Sequence, residues 1–522
     1  MSEAFGDHHL DMPYETLADL LERHRKRDAT KTAIVDISHG TQIDFGQLDQ
    51  IATDIAVHLK SLGITKGSRV LVLSHPRIEV LLIWFGLWRM GAVVCPFEVE
   101  INAKQMEALV AALNPSLILH HKDIDIAELT GEACGAAPRI RFGNWSGVDD
   151  EDEFFRRLQT GSSKSDVPER NEPADIAACV CTSGTTARPK IVVFNHAAYW
   201  MNGLDTLDFF GITEDDKTLE YRSFGWVSCQ VASLMPFLLK GPTMHVARRF
   251  SQSQFFEWVE NHGITFSVGV PTVLNMLLNR PVSTARGQTT LRRMSCSTAP
   301  LTEQQWKQFE DMYGISILQF YGVSETGVVC GNRHYRRKLG AIGYPSLHQE
   351  VRIVDRDGAE CPIGSEGEIT IGGPKLAVGY LLDDGTIDPL LGNRIGTADL
   401  GIKDADGFIR ITGRTKDIII RGGTKIAPLE IEETILKLPE VSEVATVGVP
   451  DDIYGEAVVC FAVAKNDLLT ETAILDHCNR YLPSAKRPKQ IYIVSELPRN
   501  DRGKVLRDKL KDEWTKANQT AP

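Results

Sequence analysis

Hydrophobic residues in the first third of the chain follow two different periodicities. Between residues 48 and 59 they recur at helical spacing, at Leu48, Ile51, Ala52, Ile55, Ala56 and Leu59. Residues 70–73 are continuously apolar and predict a buried strand, while residues 79–90 predict a second helix that leads into an apolar strand at 92–95. Strands that alternate with helices favour a mostly parallel sheet covered by helices.

The pattern changes near residue 407. Glycine, aspartate and arginine cluster between Thr397 and Gly423, and shorter predicted elements follow, with helices over 431–438 and 472–481 and strands over 444–449 and 458–463. A boundary near 414–417 leaves a small α+β domain of about 100 residues, which is an ordinary domain size. We therefore expect an α/β protein. Residues 1–415 form a large N-terminal region of several subdomains, with β-sheets flanked by helices, and residues 416–522 form the C-terminal domain.

Length, charge and cysteine usage exclude several classes of protein. With 522 residues the chain is too long for a single hydrophobic core. Its net charge of -12 argues against a nucleic-acid partner or a general anionic-membrane binder. The first residues lack a secretory pattern, and the most apolar stretch, residues 80–88, is too short for a transmembrane segment. Ten cysteines without a C-x-x-C pair indicate free thiols, so we expect a cytoplasmic protein.

A loop rich in hydroxyl side chains follows the strand predicted at 176–180. Residues 182–190 read Thr-Ser-Gly-Thr-Thr-Ala-Arg-Pro-Lys. Small and hydroxyl residues after a strand let backbone N–H groups and side-chain oxygens surround phosphate oxygens, and Lys190 adds positive charge. The loop is not a Walker loop, because Pro189 precedes the lysine and no serine or threonine follows it. Taken alone, it would also fit an ordinary surface turn.

The loop resembles the phosphate-binding signature of the adenylate-forming superfamily, which includes acyl-CoA synthetases, aryl-CoA ligases, luciferases and the adenylation domains of peptide synthetases. Six further segments match the motifs of that family in order, at residues 269–272, 297–301, 321–326, 397–399, 413–417 and 498–504. The resemblance extends from about residue 45 to 507. It implies an ATP-dependent acid–CoA ligase that forms an acyl-adenylate and pyrophosphate, and then transfers the acyl group to coenzyme A and releases AMP.

The resemblance also implies roles for single residues. Lys504 would be the catalytic lysine, Glu325 would bind Mg²⁺, and Thr185 of the phosphate loop would assist catalysis. Tyr321 would stack on adenine, and Asp399 would accept hydrogen bonds from both ribose hydroxyls. The full nucleotide-binding set is Thr182, Ser183, Gly184, Thr185, Thr186, Lys190, Ser297, Thr298, Ala299, Tyr321, Gly322, Ser324, Thr326, Asp399, Arg414 and Lys504.

Outside the family motifs, two of these residues would be read differently. A lone aspartate such as Asp399 in a Gly/Asp-rich turn is more often a simple turn residue. Lys504, among arginines near the C-terminus, would otherwise be read as a solvated surface lysine. Only their places in the motifs favour binding and catalysis.

In relatives the small C-terminal domain is mobile and turns between the two half-reactions. Lys416 matches the hinge residue of those relatives. After the turn, the loop over residues 421–425 would face the active site, and Gly422 and Gly423 would line the coenzyme A tunnel. Glycine suits that place because the thiol arm must pass close to the backbone.

The acid pocket is expected to include Trp226, Val227, Ser297 and Gly322. Acetate-type relatives carry a bulky tryptophan at the position of Gly322, so the resemblance implies a medium-chain, long-chain, cyclic or aryl acid rather than acetate. The stretch from residue 222 to 240 contains no aspartate or glutamate to meet a substrate ammonium, which argues against an α-amino acid.

Three arginines, Arg222, Arg248 and Arg249, would be able to pair with a second carboxylate of the substrate. Surface or structural roles are favoured for all three.

The chain departs from the family pattern at three positions. Ala187, Ile191 and Ala398 stand where the family usually has glycine. The changes at Ala187 and Ile191 keep open a non-catalytic nucleotide-binding homologue. A stand-alone adenylation enzyme that loads an acyl carrier protein is a separate alternative, because it uses the same first half-reaction. The identity of the acid, a link to fatty acid metabolism and assembly as a homodimer also stay open.

Overall fold

The computed structural model describes residues 12–130, 137–147, 152–158, 160–167, 171–182, 189–279, 289–299, 301–500 and 503–519. Within these ranges, no helix is long and apolar enough to cross a bilayer.

The strands are numbered along the chain. They are β1 Thr32–Asp36, β2 Gln42–Asp44, β3 Arg69–Leu73, β4 Val93–Phe97, β5 Leu117–His121, β6 Arg139–Phe142, β7 Ile176–Cys181, β8 Ile191–Asn195, β9 Lys217–Glu220, β10 Thr243–Val246, β11 Phe266–Ser267, β12 Arg293–Cys296, β13 Ser316–Val323, β14 Gly327–Gly331, β15 Tyr344–Pro345, β16 Glu350–Val354, β17 Glu366–Gly372, β18 Gly379–Leu381, β19 Ile387–Pro389, β20 Ile395–Lys403, β21 Ile409–Arg414, β22 Ile419–Arg421, β23 Thr424–Ile426, β24 Val441–Asp451, β25 Gly455–Ala464 and β26 Gln490–Val494.

The α-helices are numbered in the same way. They are α1 Leu17–Arg27, α2 Phe45–Ser61, α3 Ile78–Arg89, α4 Ala103–Leu113, α5 Ile126–Thr130, α6 His196–Phe210, α7 Val227–Cys229, α8 Met235–Lys240, α9 Phe255–His262, α10 Pro271–Asn279, α11 Glu303–Tyr313, α12 Pro428–Ile435, α13 Glu471–Tyr481 and α14 Arg507–Gln519.

Two large sheets with parallel centres form the N-terminal region. Among the described strands, one sheet has the order β19-β18-β8-β7-β4-β3-β5-β6 and the other the order β15-β14-β13-β12-β11-β9-β10-β1-β2. The inner pairs β3–β4, β3–β5 and β9–β10 are parallel. Helix α3 lies in the main apolar core with every residue buried. Such a fully apolar helix is typical of an element covered on all sides.

A smaller antiparallel sheet lies on the path to the C-terminal region. It has the order β16-β17-β20-β21, and its last strand ends at Arg414. The following C-terminal sheet has the order β23-β22-β25-β24, with β26 parallel to β25. Helices α12 and α13 cover an apolar core of this sheet.

Most sequence-predicted elements are confirmed. The helices expected over 48–59 and 79–90 are α2 and α3, and the strands expected at 70–73 and 92–95 are the parallel neighbours β3 and β4. Helix α2 begins where the Asp44 side chain accepts a hydrogen bond from the backbone N–H of Gln47. In the C-terminal region, the helix expected over 431–438 begins and ends earlier, as α12. The antiparallel sheet of β16, β17, β20 and β21 had not been predicted.

Candidate functional site

A cavity of about 270 Å³ collects side chains from both the N-terminal and the C-terminal regions. Its wall includes these residues predicted from the motifs: Thr298, Ala299, Tyr321, Gly322, Asp399, Arg414 and Lys504. They come from the ends of β12 and β13, from the antiparallel pair β20–β21, and from the loop before α14. Motifs that are more than 200 residues apart in sequence thus meet at one place.

Asp399 is a buried carboxylate of this cavity that is held by two side chains. It lies on β20 directly opposite Arg414 on β21, and only 2% of its surface is exposed. Its Oδ1 accepts a hydrogen bond from Arg414 Nε at 2.5 Å, and its Oδ2 accepts one from the Tyr321 hydroxyl at 2.5 Å. Burial and the Asp399 charge raise the pKa of Tyr321, so the phenol stays a donor. The site thus holds a fixed acceptor with an arginine beside it.

The segment after β12 approaches the cavity with strained backbone. Thr298 has a φ of 81°, in the left-handed region that residues with a Cβ rarely adopt. Such a conformation costs about 1–3 kcal/mol and is typical of functional sites. Thr298 and Ala299 line the cavity. Ser297 is buried behind them, and its Oγ has no hydrogen-bond partner within the described part of the chain.

The turn between β13 and β14 carries Glu325. Its Oε1 accepts a hydrogen bond from the Tyr380 hydroxyl at 2.7 Å. A carboxylate has a second oxygen, and an oxygen ligand of this kind fits Mg²⁺, which usually binds one or two carboxylates together with nucleotide phosphates. Among the described residues, no group of three or more His, Cys, Asp or Glu side chains forms a separate metal cage. A single carboxylate of this kind fits a metal that also binds nucleotide phosphates.

The neighbours of Glu325 differ in exposure. Ser324 is half-buried, whereas Thr326 is fully buried. The Thr326 hydroxyl lies 2.5 Å from Gln349 Oε1 and 3.2 Å from the carbonyl oxygen of Lys375. The structure thus places Thr326 beneath the turn and away from the cavity surface.

The phosphate loop is described only at its two ends. Ser183, Gly184, Thr185, Thr186 and Ala187 lie outside the described residues. The remaining ends, residues 182 and 190, close an antiparallel hairpin of β7 and β8. The N–H of residue 182 donates to the carbonyl oxygen of residue 190 at 2.9 Å, and the N–H of residue 190 donates to the hydroxyl of residue 182 at 3.1 Å.

The lysine at the end of this loop and the residue after it have clear environments. Lys190 is exposed, and its Nζ lies 4.2 Å from the centre of the Tyr380 ring. Ile191, which replaces a usual glycine, is buried at the start of β8 and pairs with Cys181 and Leu381. Its side chain serves sheet packing.

Lys504 reaches the cavity from the loop before α14. Its backbone N–H donates to Asn500 Oδ1 at 2.9 Å, and its carbonyl oxygen accepts from the N–H of Asn500 at 2.9 Å. The loop is tied down further, because Arg499 donates to the carbonyl oxygen of Gly503 at 2.6 Å. Burial, followed by the charges of Arg414 and Lys416, lowers the pKa of Lys504 to about 8. A fully solvated surface lysine would have neither these loop contacts nor a lowered pKa.

The predicted acid-pocket residues are not all at this cavity. Gly322 lines it, whereas Trp226, Val227 and Ser297 do not. Trp226 packs, half-buried, against the main core, and Val227 is buried at the start of α7.

The surrounding backbone explains why position 322 is a glycine. A Cβ at this position would lie 2.3 Å from the carbonyl oxygen of Gly327, across the β13–β14 hairpin. No side chain fits there without moving the hairpin. The glycine is therefore explained by the hairpin and carries no separate information on pocket width.

The three arginines considered for a second carboxylate have different partners. Arg222 is 4% exposed and donates to Glu220 Oε2 at 2.8 Å and to Ser233 Oγ at 3.2 Å, which is the structural role that the sequence favoured. Arg248 is exposed and pairs with Asp123 at 2.8 Å, and Arg249 is also exposed.

The predicted hinge and tunnel residues lie in one short segment. Lys416 is in a 3-10 turn, Thr415–Asp417, directly after β21. Gly422 and Gly423 form the exposed turn of the β22–β23 hairpin, with φ values of 55° and 82°. Neither glycine lines the cavity that contains Lys504.

Comparison with known proteins assigns the chain to a family. The AMP-binding enzyme domain matches residues 21–381, and the AMP-binding enzyme C-terminal domain matches residues 430–504. The chain belongs to the family of AMP-binding enzymes.

Its relatives narrow the class. The chain is 30% identical over 505 residues to the sulfoacetate–CoA ligase of Cupriavidus necator, covering 95% of this chain and 97% of that protein. It is 26% identical over 477 residues to a feruloyl-CoA synthase from an Amycolatopsis species, covering 90% and 94%. The solved structure of ATP-bound MatB from Rhodopseudomonas palustris has a TM-score of 0.85 at 26% identity, covering 95% of this chain and 99% of that one.

These likenesses confirm the α/β fold class and the acid–CoA ligase branch that the motifs indicated. The chain is an ATP-dependent acyl-CoA synthetase with ATP and coenzyme A as substrates. Membership of this enzyme class leaves the non-catalytic alternative without support.

Proposed function

We propose that this enzyme activates a carboxylic acid larger than acetate and that Lys504, Glu325 and Asp399 form the centre of its active site. The observation that carries the proposal is that Lys504, from the C-terminal region, lines the same cavity as the Asp399–Arg414 pair. Adenylate formation requires positive charge close to the bound nucleotide. A lysine beside the carboxylate that is proposed to bind the ribose supplies this charge.

In the first half-reaction, a carboxylate oxygen of the acid attacks the α-phosphorus of ATP. The new C–O–P bond forms as the bond to the β-phosphate oxygen breaks, and pyrophosphate leaves. Two anions must approach each other, so the site needs a cation between them. The Lys504 ammonium supplies that cation, and its surroundings favour its partial desolvation.

The nucleotide lies against the walls of the cavity. Asp399 accepts hydrogen bonds from the ribose hydroxyls, Arg414 contacts ribose and phosphate, and Tyr321 stacks on adenine beside residues 298–299. Residues 182–186, Lys190 and Ser324 contact the phosphates. Ser297, Gly322 and Thr326 act by shaping the backbone around the nucleotide, since their side chains are absent or buried.

Glu325 holds Mg²⁺ together with the phosphates. When bound, the metal neutralises charge on the phosphate oxygens and so assists the departure of pyrophosphate. The contribution of the chain is to fix the carboxylate in place, and the Tyr380 hydroxyl does this from one side.

The second half-reaction uses a different arrangement of the C-terminal domain, residues 416–522. The domain turns at Lys416, and Gly422 and Gly423 then face the cavity and line the path of the coenzyme A thiol. The thiol sulfur attacks the acyl carbon, and AMP leaves. The position of these glycines at an exposed hairpin turn supports this proposal.

The acid is a medium-chain, long-chain, cyclic or aryl acid. The names of several relatives support this choice, because they refer to feruloyl, indoleacetate, 2-succinylbenzoate and long-chain fatty acid substrates. Trp226, Val227, Ser297 and Gly322 are the proposed border of the acid, and of these four Gly322 also lines the cavity that contains Lys504.

The test is AMP release with Mg-ATP and coenzyme A across fatty, branched, cyclic, aryl and dicarboxylic acids. Release that requires one class of acid and coenzyme A supports the proposal and identifies the substrate class. Release that requires an acyl carrier protein instead of coenzyme A would favour the carrier-loading alternative. Acetate as the best substrate would contradict the proposed size of the acid.

Assembly as a homodimer and a cytoplasmic location also belong to the proposal. Light scattering on the purified chain tests the first, and fractionation of cells that express it tests the second.

A further inference from the structure

One short segment connects two parts of the active site that are far apart in sequence. It runs from Lys375 through β18, which ends at Leu381. At one end it supports the Glu325 turn, and at the other it contacts Lys190 at the end of the phosphate loop. None of its residues belongs to the motifs from which the site was predicted.

The backbone of this segment holds the Glu325 turn. The N–H of Ala377 donates to the carbonyl oxygen of Glu325 at 2.8 Å, and the carbonyl oxygen of Lys375 accepts from the Thr326 hydroxyl at 3.2 Å. The Ala377 hydrogen bond therefore fixes the turn from below, the Thr326 proton is shared between Gln349 and Lys375, and a shift of the segment would move Glu325 with it.

The segment is anchored by a buried ion pair. The side chains of Lys375 and Asp205 are both fully buried and in contact, and Lys375 Nζ also donates to Ser346 Oγ at 2.5 Å. His348 Nδ1 lies 2.8 Å from the same Asp205 carboxylate. A buried pair of charges with several hydrogen-bond partners permits little movement, because a separated charge would lose its compensation.

The side chain of Tyr380 then reaches both functional groups. Its hydroxyl donates to Glu325 Oε1 at 2.7 Å, and its ring lies 4.2 Å from Lys190 Nζ. One rigid side chain thus orients a carboxylate by a hydrogen bond and an ammonium by a cation–π contact.

We propose that Tyr380 is a positioning residue that aligns Glu325 for the metal and Lys190 for the phosphates of Mg-ATP. The hydroxyl engages one oxygen of Glu325 and directs the other toward the cation, and the ring limits the positions of Lys190. Both effects organise the ATP site before the acid reacts. This inference rests on the proposed role of Glu325 as metal ligand.

The test measures metal binding directly. Mn²⁺ replaces Mg²⁺, an ATP analogue with a methylene bridge between the α- and β-phosphates prevents reaction, and electron paramagnetic resonance measures free Mn²⁺. Tyr380→Phe, which keeps the ring and removes the hydroxyl, is expected to weaken Mn²⁺ binding about tenfold, as for the loss of one hydrogen bond to a charged group. Tyr380→Leu, which also removes the ring beside Lys190, is expected to weaken Mn²⁺ binding in the presence of the analogue further than Tyr380→Phe does.

A matched control is available in the same chain. The Tyr335 hydroxyl donates to Asp208 Oδ1 at 2.9 Å, and Asp208 is paired with Arg333 and has no proposed role in ATP binding. Tyr335→Phe therefore removes the same type of bond elsewhere and is expected to leave Mn²⁺ binding unchanged. If Tyr380→Phe binds Mn²⁺ as the wild type does, or if Tyr335→Phe weakens it equally, the inference is wrong.

Glu325→Gln in the same titration separates this inference from the proposed function. Loss of Mn²⁺ binding in Glu325→Gln together with wild-type binding in Tyr380→Phe overturns only the role of Tyr380. Wild-type binding in Glu325→Gln overturns the metal role of Glu325 and the inference with it. Weakened binding in both variants supports both assignments.

Discussion

Two loops of the C-terminal region have opposite environments. The loop that ends at Lys504 is closed by hydrogen bonds to Asn500, lies at the cavity and places its lysine partly out of solvent. The hairpin turn at Gly422 and Gly423 is exposed and lies outside the same cavity. In the proposed cycle, the first loop supplies positive charge for adenylate formation, and the second provides glycine backbone beside the path of the thiol. With Lys504 at the cavity and the two glycines outside its lining, the structure matches the arrangement that the proposal assigns to adenylate formation.

The largest expected effect comes from removing the charge of the first loop. Lys504→Ala should slow adenylate formation roughly 10²–10³-fold, because an oriented cation at the transferring phosphate is lost. Pyrophosphate exchange measures this step, and supplied acyl-adenylate should still react with coenzyme A. Lys509→Ala, which alters an exposed lysine in α14, is the control. Equal loss of both half-reactions in Lys504→Ala would contradict its assignment to the first.

The second effect should appear only when the second loop has to reach the cavity. Lys416→Pro fixes φ at the proposed hinge and restricts the preceding residue, so the domain turn is hindered. Pyrophosphate exchange should remain, while thioester formation should fall at least about tenfold. Lys416→Ala loses the same charge and keeps backbone freedom, so a slower transfer in the proline variant assigns the effect to the backbone. Normal transfer in Lys416→Pro would refute the hinge.

The third prediction concerns pH. Because the pKa of Lys504 is lowered to about 8, the ammonium is lost as pH rises through that value. Adenylate formation should therefore decline above pH 8, whereas transfer from supplied acyl-adenylate should not follow the same curve. Lys504→Arg keeps its charge and should lack this decline. If adenylate formation by Lys504→Arg declines above pH 8 as it does in the wild type, another group titrates.

The same pKa shift affects the stability of the fold in a defined direction. The folded state binds fewer protons at Lys504 than the unfolded state between about pH 8 and the ordinary lysine pKa. Stability should therefore rise slightly with pH in this window.

The smallest predicted effect comes from a substitution at Ala398, the residue before Asp399. Ala398 has a φ of 58°, and its N–H donates to Glu368 Oε1 at 3.0 Å. An alanine in this left-handed region costs about 1 kcal/mol, so Ala398→Gly should stabilise the protein by up to about that amount. Thermal unfolding measures the change. Ala359→Gly, at an exposed position without positive φ, should instead lose stability, and a destabilised Ala398→Gly would contradict the strain argument.

The sequence predicted those parts of the molecule that depend on local pattern or on motif order. Helices α2 and α3 follow from apolar spacing, and the meeting of Tyr321, Asp399 and Lys504 follows from the family motifs. The remaining features depend on contacts between distant residues. Asp205 and Lys375 are 170 positions apart, and no local signal marks either as half of a buried ion pair. Tyr380 follows a glycine in an apolar strand, so the sequence alone predicts only a packing role for it. Its contacts with Glu325 and Lys190 become visible only in the structure.

Interpretations based on local sequence were less informative where contacts with the surrounding chain constrain a residue. Gly322 was expected to indicate a wide acid pocket, yet the carbonyl oxygen of Gly327 leaves no room for any Cβ there. Thr326 was expected at the nucleotide and is buried under the turn. In both cases the sequence gives the residue type but not the atoms that surround it in the fold.

The contact between Gly322 and Gly327 has a consequence for enzyme engineering. A designer who wishes to shrink the range of acids would first consider a bulky residue at position 322. Here that substitution would push apart the two strands whose connecting turn carries Glu325, so a change aimed at substrate choice would also disturb the metal ligand. A change of substrate choice in this enzyme is therefore better sought at a position outside this hairpin.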